Sequence, residues 1–373
     1  MGQLGPGDAV LPGGLTAVRV GMLLEQCLAP VPGGTGRYSR ELALALAVTA
    51  APGDEVLGVT GWHRPALALP GVAVRRLPLP RRPLVAAWER GIGPSVPGDV
   101  VHCPTPLQPG RSRHPLVVTV HDAVPYTHPE TLTARGARWH RDMIARAAAQ
   151  AALVVVPTQA VADELARHVA LPSVLVVGHG VSADLDLPAD ADARAARLRL
   201  PERYLLTVAT LEPRKGLAEL VTALREVPGT PLLCVGQPGW GGVSVEALAA
   251  QAGVEVRVLG RVPDADLAVL LHRATALVVP SRSEGFGLPL LEGMAAGTPV
   301  LTSDAPALVE VAAGAALAVP LDALADGLRA ITGDDALRAR LRQDGPARAA
   351  SYSWEGAARE LWRGYADLHS RDT

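Results

Sequence analysis

The sequence feature that most constrains the fold is a regular alternation between two kinds of segment. Short runs dominated by Val and Leu, such as residues 115–122 and 276–281, alternate with longer stretches rich in Ala, Leu and Arg. Near-continuous apolar runs are typical of strands covered on both faces, and helical segments between them favour βαβ units in parallel sheets. The pattern predicts strands within residues 17–24, 54–60, 115–122, 152–157, 173–177, 203–210, 231–236, 254–260, 276–281 and 298–303.

A chain of 373 residues has room for two or three domains, and one segment interrupts the alternation. Residues 179–203 are first acidic and then basic, contain Pro188 and Pro201, and show no strand pattern. We therefore predict an α/β protein with two doubly wound, Rossmann-like parallel sheets facing a central ligand cleft at the carboxyl ends of their strands. The predicted divisions are a disordered tail (1–14), a first domain (15–185), a linker (186–202), a second domain (203–350) and a closing amphipathic helix (351–373).

Composition excludes several classes of protein. The formal net charge is −2, so no overall basic field is available to hold nucleic acid. Three cysteines are too few and too scattered for a disulfide framework or a zinc cluster. No apolar run is long enough to span a bilayer and the first residues lack the pattern of a secretory signal, so a cytoplasmic location is expected. Gly33, Gly34 and Gly36 lack the spacing of a dinucleotide fingerprint, which argues against an oxidoreductase.

The segment 276–304 carries the strongest chemical pattern. A predicted strand ends at residue 280, a glycine-containing loop follows, and a helix begins with Pro289 in its first turn. Gly285 and Gly287 let the backbone approach a ligand just before the helix N-terminus, which is a favourable place for an anion. Glu284 and Glu292 lie eight residues apart on either side of that point. A carboxylate can accept hydrogen bonds from both hydroxyls of a vicinal diol, so the pair predicts a sugar or ribose beside a phosphate.

A second pattern, in residues 210–220, places two cations directly after a predicted strand. Lys215 is the only lysine among the 35 Lys and Arg residues, and Arg214 precedes it. An ammonium kept in a sequence that otherwise uses arginine indicates a position that needs a compact point charge. A solvated helix start would explain an isolated Arg-Lys pair. Together with the loop at 284–292 in the same sheet, the pair predicts a diphosphate site.

These residues resemble a known family. SEGFGLPLLEGMAAGTPVLTSD (283–304) and TVATLEPRKGLAELVTAL (207–224) resemble the donor half of retaining glycosyltransferases of family 4, which have the GT-B fold and an E-x7-E motif matched by Glu284 and Glu292. The first half contributes further matches in family order, among them VRVGMLLEQCLAPVPGGTGRYSREL, VVTVHDAVPYTHPE and VVGHGV. The resemblance covers nearly the whole chain. It implies that the C-terminal helix returns toward the first domain.

Carried over residue by residue, the resemblance implies a donor site in the cleft. Arg214 and Lys215 hold the pyrophosphate, Glu292 binds the ribose diol, and the backbone around Val262 meets the base. Glu284 and His121 are the catalytic groups beside the transferred sugar, where His121 orients the sugar near its anomeric carbon. A strand-end cap is the alternative role of the His121-Asp122 pair. Further donor contacts are implied for Gly34 and for the backbone amides of Gly285, Phe286, Gly287 and Leu288.

Three positions depart from the family pattern. Ala209 stands where a glycine often lies beside the phosphates, and Gly216 replaces a frequent asparagine after the Arg-Lys pair. Val309 replaces the proline that usually precedes the glutamate matched by Glu310. Glu310 is therefore left out of the predicted site.

The resemblance implies a retaining transferase that moves a hexosyl unit from a nucleotide-diphosphate sugar to a hydroxyl of a glycan, glycolipid or small molecule, as in cell-wall or polysaccharide biosynthesis. HDAVPYTHPE (121–130) favours mannosyl- or rhamnosyl-type members, so GDP-mannose is the expected donor. Alternatives are a nucleotide-sugar epimerase, a phosphorylase and a nucleotide-sugar-binding protein without catalysis. A phosphorylase needs a cofactor lysine, but Lys215 is committed to the phosphates. The intact set of site residues argues against lost catalysis.

Neither a metal nor another cofactor is expected. Two DxD-like repeats lie in the polar linker without further ligands and are interpreted as solvated surface: Asp184 with Asp186, and Asp190 with Asp192. Arg135, Arg138, Arg141 and Arg146 form a basic stretch, which we interpret as a solvated helix face. Contact of this stretch with an anionic membrane or a lipid-linked acceptor, at the cytoplasmic side, is the alternative.

Overall fold

The structure is a computed structural model and describes residues 17–372. The predicted tail (1–14) lies outside the described residues. Within them, the strands form two separate sheets in which every pairing is parallel. The prediction of two doubly wound parallel sheets is confirmed.

The first sheet has the order β3-β2-β1-β4-β5-β6-β7. Its strands are β1 (Arg19–Leu23), β2 (Glu55–Thr60), β3 (Ala73–Arg76), β4 (Val100–Cys103), β5 (Leu116–Thr119), β6 (Leu153–Val156) and β7 (Val174–Val176). The second sheet has the order β10-β9-β8-β11-β12-β13. Its strands are β8 (Leu205–Val208), β9 (Leu232–Val235), β10 (Val256–Gly260), β11 (Ala276–Val279), β12 (Val300–Ser303) and β13 (Leu317–Val319).

Helices connect the strands and cover the sheets. In the first half they are α1 (Gly33–Thr49), α2 (Arg81–Glu89), α3 (Val124–Thr127), α4 (Ala134–Gln150), α5 (Gln159–Ala166) and α6 (Ala191–Arg197). In the second half they are α7 (Leu217–Ala223), α8 (Val245–Ala252), α9 (Asp264–Arg273), α10 (Leu288–Ala295), α11 (Pro306–Ala312), α12 (Leu324–Gly333), α13 (Asp335–Ala349) and α14 (Trp354–Asp372).

The strand order reverses direction beside β1 in the first sheet and beside β8 in the second. In open parallel sheets such a switch point opens a crevice at the carboxyl ends of the strands, where ligands bind. The segments that follow β1, β5, β8 and β11 therefore all lead into the region between the domains. This is where the chemically suggestive segments of the sequence lie.

The closing helix α14 packs against α1 of the first domain, as predicted. The indole nitrogen of Trp362 donates a hydrogen bond to the Leu46 carbonyl (3.1 Å), and the Tyr365 hydroxyl lies 2.6 Å from Nδ1 of the buried His102. Trp362 and Tyr365 are themselves buried. The chain thus crosses from the second domain back to the first and ties the two together.

Several elements differ from the sequence prediction. The strands β3, β4 and β13 were not predicted, and each has only three or four residues. The β3 segment is a sheet edge with two arginines, and β4 contains a histidine, so neither has a long Val/Leu run. The predicted linker also contains a helix, α6, because Ala191 and Ala195 pack against Val269 of the second domain.

Candidate active site

The carboxyl ends of the two sheets border a cleft of ≈ 1100 Å³. Every residue that the sequence predicted for the site lines this cleft: Gly34, His121, Arg214, Lys215, Val262, Glu284, Gly285, Phe286, Gly287, Leu288 and Glu292. A smaller cavity of ≈ 590 Å³ is lined by Pro213, Leu217 and Leu248 among others, and shares Glu212 with the larger cleft. The titratable groups concentrate in the larger cleft, so the chemistry belongs there.

The two cations after β8 point into the cleft. They lie in a short 3-10 turn, and Gly216 follows it in a left-handed conformation (φ 63°). A Cβ at residue 216 would lie 1.8 Å from the Pro280 carbonyl oxygen, so only glycine lets the turn approach the end of β11 this closely. The side chains of Arg214 and Lys215 retain only 17% and 13% of their exposure.

Glu284 is the group that these two cations hold. Lys215 Nζ donates to its Oε1 at 2.5 Å, and Arg214 Nη1 donates to its Oε2 at 3.2 Å. The Ser281 hydroxyl adds a third hydrogen bond at 2.7 Å. Burial alone would raise the pKa of Glu284, but the charges of Lys215 and Arg214 outweigh burial and lower the pKa to about 2. Arg214 also pairs with Glu212, at 3.0 Å, so two cations and two carboxylates face each other at this point of the cleft.

Glu292 occupies a different electrostatic environment. It is 5% exposed on α10, and burial raises its pKa, although the positive charge of Arg37 acts in the opposite direction. Arg37 Nε, from α1 of the first domain, lies 3.8 Å from Glu292 Oε1, and the same guanidinium pairs with Asp264 at the start of α9. Arg37 and Asp264 both line the cleft but were not predicted as site residues.

The loop between β11 and α10 is held by close backbone contacts. A Cβ at Gly285 would lie 1.6 Å from the carbonyl oxygen of His121, so this loop touches the first domain directly. Gly287 has a positive φ of 87° and caps the N-terminus of α10. The ring of Phe286 packs against His179 and Tyr352, with ring centroids 4.3 and 5.3 Å away. This packing fixes the loop, whose amides precede the helix.

His121 follows β5 and lies on the opposite wall of the cleft. Its Nε2 is 2.7 Å from the Pro104 carbonyl oxygen, which can only accept, so Nε2 carries the proton. Burial lowers the pKa of His121, and the ring is therefore neutral with Nδ1 as an acceptor. The neighbouring Asp122 accepts from the Val124 amide at 3.1 Å, so Asp122 caps the turn after the strand. His179, which is buried, lies 5.8 Å away between ring centroids and was not predicted as part of the site.

Gly34 and Val262 lie at the edges of the cleft. A Cβ at residue 34 would lie 3.7 Å from Leu288 Cδ1, an ordinary contact distance, so the protein itself does not require glycine there. Val262 is a half-buried residue just before α9 and packs against the main core. The closeness of both residues to a donor stays a prediction.

Three of the four aspartates of the DxD-like repeats are paired with arginines. Asp184 bonds to Arg40 at 3.3 Å and Asp190 to Arg194 at 2.7 Å, while Asp192 pairs with Arg273. Within residues 17–372, no cluster of three or more acidic, His or Cys side chains is arranged to hold a metal ion.

Two arginines of the basic stretch on α4 make internal contacts. Arg141 donates to the Pro125 carbonyl at 2.6 Å, and Arg146 donates to the carbonyls of Trp88 and Glu89. Arg135 and Arg138 are exposed. Across the part of the chain that the structure describes, none of the helices combines the length and apolar character needed to cross a membrane.

Comparison with solved structures identifies the fold. Sucrose-phosphate synthase from Thermosynechococcus elongatus superposes with a TM-score of 0.78 at 24% identity, over 95% of this chain and 99% of that one. The Anabaena protein HepE, in complex with UDP and glucose, gives a TM-score of 0.71 at 20% identity, over 94% of this chain and 100% of that one. These likenesses establish the two-domain GT-B fold.

Sequence relatives then identify the family. "Glycosyltransferase Family 4" matches residues 32–185, and "Glycosyl transferases group 1" matches residues 189–348. A phosphatidyl-myo-inositol mannosyltransferase of Mycobacterium leprae is 30% identical over 93% of this chain and 96% of its own length. O-antigen chain mannosyltransferase B of Escherichia coli is 29% identical over 71% of this chain and 74% of its own. The chain belongs to glycosyltransferase family 4 and is a glycosyltransferase, as the resemblance predicted.

Proposed function

We propose that this enzyme transfers a mannosyl unit, with retention of configuration and without a metal ion, from GDP-mannose to a hydroxyl acceptor. The observation that carries the proposal is the convergence of Arg214 and Lys215 with the 284–287 loop and the start of α10 in one cleft. Relatives named mannosyltransferases support the sugar, and the neighbour crystallised with UDP and glucose supports a nucleotide-sugar donor.

The diphosphate would bind between the cation pair and the N-terminus of α10. A leaving nucleoside diphosphate gains negative charge as the glycosidic bond breaks. The positive charges of Arg214 and Lys215, together with the helix dipole, stabilise that charge best in a site from which water is excluded. These groups supply the charge neutralisation that a divalent cation provides in other transferases.

The two glutamates take different parts of the donor. Glu284 stays ionised at neutral pH because Lys215 and Arg214 lower its pKa, so its oxygens can accept hydrogen bonds from hydroxyls of the sugar. Glu292 lies deeper, on α10, and accepts from the ribose diol. His121 faces the sugar from the other domain with a neutral ring, and its Nδ1 accepts from a sugar hydroxyl. A ring of this kind orients the sugar and forms no covalent bond with it.

Asp264 supports guanine as the base. Its carboxylate lies at the start of α9, two residues after Val262, and lines the cleft. Guanine presents two adjacent N–H donors, N1–H and N2–H2, which match the two oxygens of a carboxylate. Uracil presents a single ring N–H between two carbonyl oxygens, so it offers only one donor to the Asp264 carboxylate, which also pairs with Arg37.

Retention follows if the acceptor attacks the face from which the diphosphate leaves. The bond between the anomeric carbon and the phosphate oxygen breaks, the acceptor oxygen bonds to the same carbon, and the hydroxyl proton passes to the departing phosphate oxygen. No protein base is needed for that transfer. Arg214 and Lys215 then hold the released GDP.

A donor panel tests the proposal. The protein would be incubated with GDP-mannose, UDP-glucose, ADP-glucose and dTDP-rhamnose, and release of each nucleoside diphosphate measured, with thermal stabilisation by GDP, UDP, ADP and dTDP measured in parallel. We expect GDP-mannose to be turned over fastest and GDP to stabilise most. Turnover of UDP-glucose with no thermal stabilisation by GDP would refute the choice of donor. If nucleoside diphosphate were released only with Mg²⁺ and never in the presence of EDTA, metal independence would be refuted.

A further inference from the structure

The N-terminus of α5, in the first domain, is capped by a carboxylate of the second domain. The backbone N–H groups of Gln159 and Ala160 donate to the two carboxylate oxygens of Glu310, on α11, at 2.8 and 2.7 Å. The first N–H groups of a helix have no partner within the helix, and the helix dipole favours a negative charge beside them. Glu310 therefore makes a bidentate, charge-assisted contact between the two domains.

The same helix start also touches the loop of the candidate site. The Thr158 hydroxyl accepts from the Val161 amide within α5 and donates to the Gly285 carbonyl at 3.0 Å. Gly285 in turn lies directly against the His121 carbonyl, where a Cβ would not fit. The start of α5, the 284–287 loop and the end of β5 thus form one contact region, which we call the interdomain clasp.

Glu310 is itself held by a neighbouring helix. Arg348, on α13, donates to the Glu310 carbonyl at 3.0 Å and to the Val311 carbonyl at 2.9 Å. The same guanidinium bonds to the Tyr352 hydroxyl at 2.8 Å. The ring of Tyr352 packs edge-on against Phe286 of the loop. The carboxylate therefore projects from a helix end that is anchored to the second domain, and does not swing freely.

We propose that Glu310 is a positioning residue for sugar transfer. By docking α5 on the second domain, it sets the separation between His121 on one wall of the cleft and the 284–287 loop on the other. Glu310 acts through α5 and Gly285, since it is not among the described residues that line the cleft. The inference rests on the proposed function, because it assigns the clasp a role in bringing the donor sugar to His121.

Three variants test the clasp. Glu310→Gln removes the charge and one of the two acceptor oxygens. Gln159→Pro removes one donor N–H, at the first position of α5, where proline is compatible with a helix. Thr158 has φ −145° and ψ 157°, an extended conformation that a residue can adopt when a proline follows it. Glu164→Gln, on the same helix but paired only with Arg167 and His168 at the surface, is the matched control for loss of a carboxylate.

We expect kcat to fall about tenfold in Glu310→Gln and in Gln159→Pro, as for the loss of one charge-assisted hydrogen bond. In the double variant, the loss of kcat should be no more than about twice the loss in the more severe single variant, because both changes break the same contact. GDP affinity, set by the second domain, should stay within about twofold in all variants, and Glu164→Gln should match the wild type. Gln159→Ala, which keeps the N–H, should exceed Gln159→Pro in kcat.

Unchanged kcat in both clasp variants would overturn the proposal, and so would equal losses in Gln159→Pro and Gln159→Ala. Hydrogen exchange provides a readout that needs no activity. Amides 285–287 should exchange faster in Glu310→Gln than in the wild type, and unchanged exchange there would overturn the clasp. If the wild type turned over no donor, the proposed function would fail, and exchange alone would still decide whether Glu310 holds the loop.

Discussion

Replacing Lys215 by methionine is the most informative single change. Methionine keeps the length and apolar stem of the side chain but removes the ammonium that bonds to Glu284 at 2.5 Å. In the proposed donor complex the same ammonium faces the diphosphate. Arg214 remains, at 3.2 Å from Glu284, so the carboxylate still has one positively charged partner as well as the Ser281 hydroxyl.

The size of the effect follows from the lost interaction. A hydrogen bond between an ammonium and a phosphate contributes about 1.5–3 kcal/mol, which corresponds to about a ten- to hundredfold loss of GDP affinity. A second effect concerns Glu284. Its lowered pKa stabilises the folded state at pH values above the ordinary 4.5, and this contribution is lost as the pH falls toward 2. Removing Lys215 raises that pKa, so the variant should be less stable than the wild type at neutral pH, and this difference should shrink as the pH falls toward 2.

Isothermal titration with GDP and thermal unfolding from neutral to acidic pH measure the two effects. Lys215→Arg keeps the positive charge but places it on a planar guanidinium, and it should lose less GDP affinity than Lys215→Met. Arg329→Met is the control for removal of a cation, because Arg329 forms a half-exposed pair with Glu226 on the outer surface. A folded Lys215→Met that binds GDP within threefold of the wild type would show that the ammonium does not contact the diphosphate.

Three further predictions concern other parts of the cleft. Gly285→Ala places a methyl group 1.6 Å from the His121 carbonyl, and a displacement of about 1 Å costs about a hundredfold in rate, so a kcat within threefold of the wild type would contradict the close contact. Glu292→Gln should weaken GDP binding about tenfold and abolish the preference for GDP over 2′-deoxy-GDP; a preserved preference would remove Glu292 from the ribose site. Burial lowers the pKa of His121, so the pH profile of kcat/KM should contain no titration of His121 near pH 6.5, and His121→Asn should leave the shape of that profile unchanged. The free energy of unfolding should decrease as the pH falls below about 6.5, because the unfolded chain then binds more protons than the folded chain.

The sequence predicted the elements whose signals are local. Strands such as β5 and β11 are continuous Val/Leu runs, and the Arg214-Lys215 and 284–292 segments each hold their site residues within a few positions of one another. Short strands with polar residues, such as β3 and β4, escaped prediction because their stability comes from pairing with β2 and β1 rather than from their own composition.

The residues that sequence reasoning missed depend on the approach of the two domains. Arg37 is one arginine among many on α1 and adjacent helices, and only the folded cleft brings it to Asp264 and Glu292. Glu310 was left out of the predicted site because Val309 precedes it, yet its carboxylate bridges the domains. A local motif rule has no access to such contacts between distant segments.

A crystal structure of the protein with GDP would show whether Arg214 and Lys215 hold the diphosphate. We expect β-phosphate oxygens within about 2.7–2.9 Å of Lys215 Nζ and of the Arg214 guanidinium, with the phosphate at the N-terminus of α10. Nucleotide bound with its phosphates away from both cations, for example in the smaller cavity beside Leu217 and Leu248, would contradict this expectation.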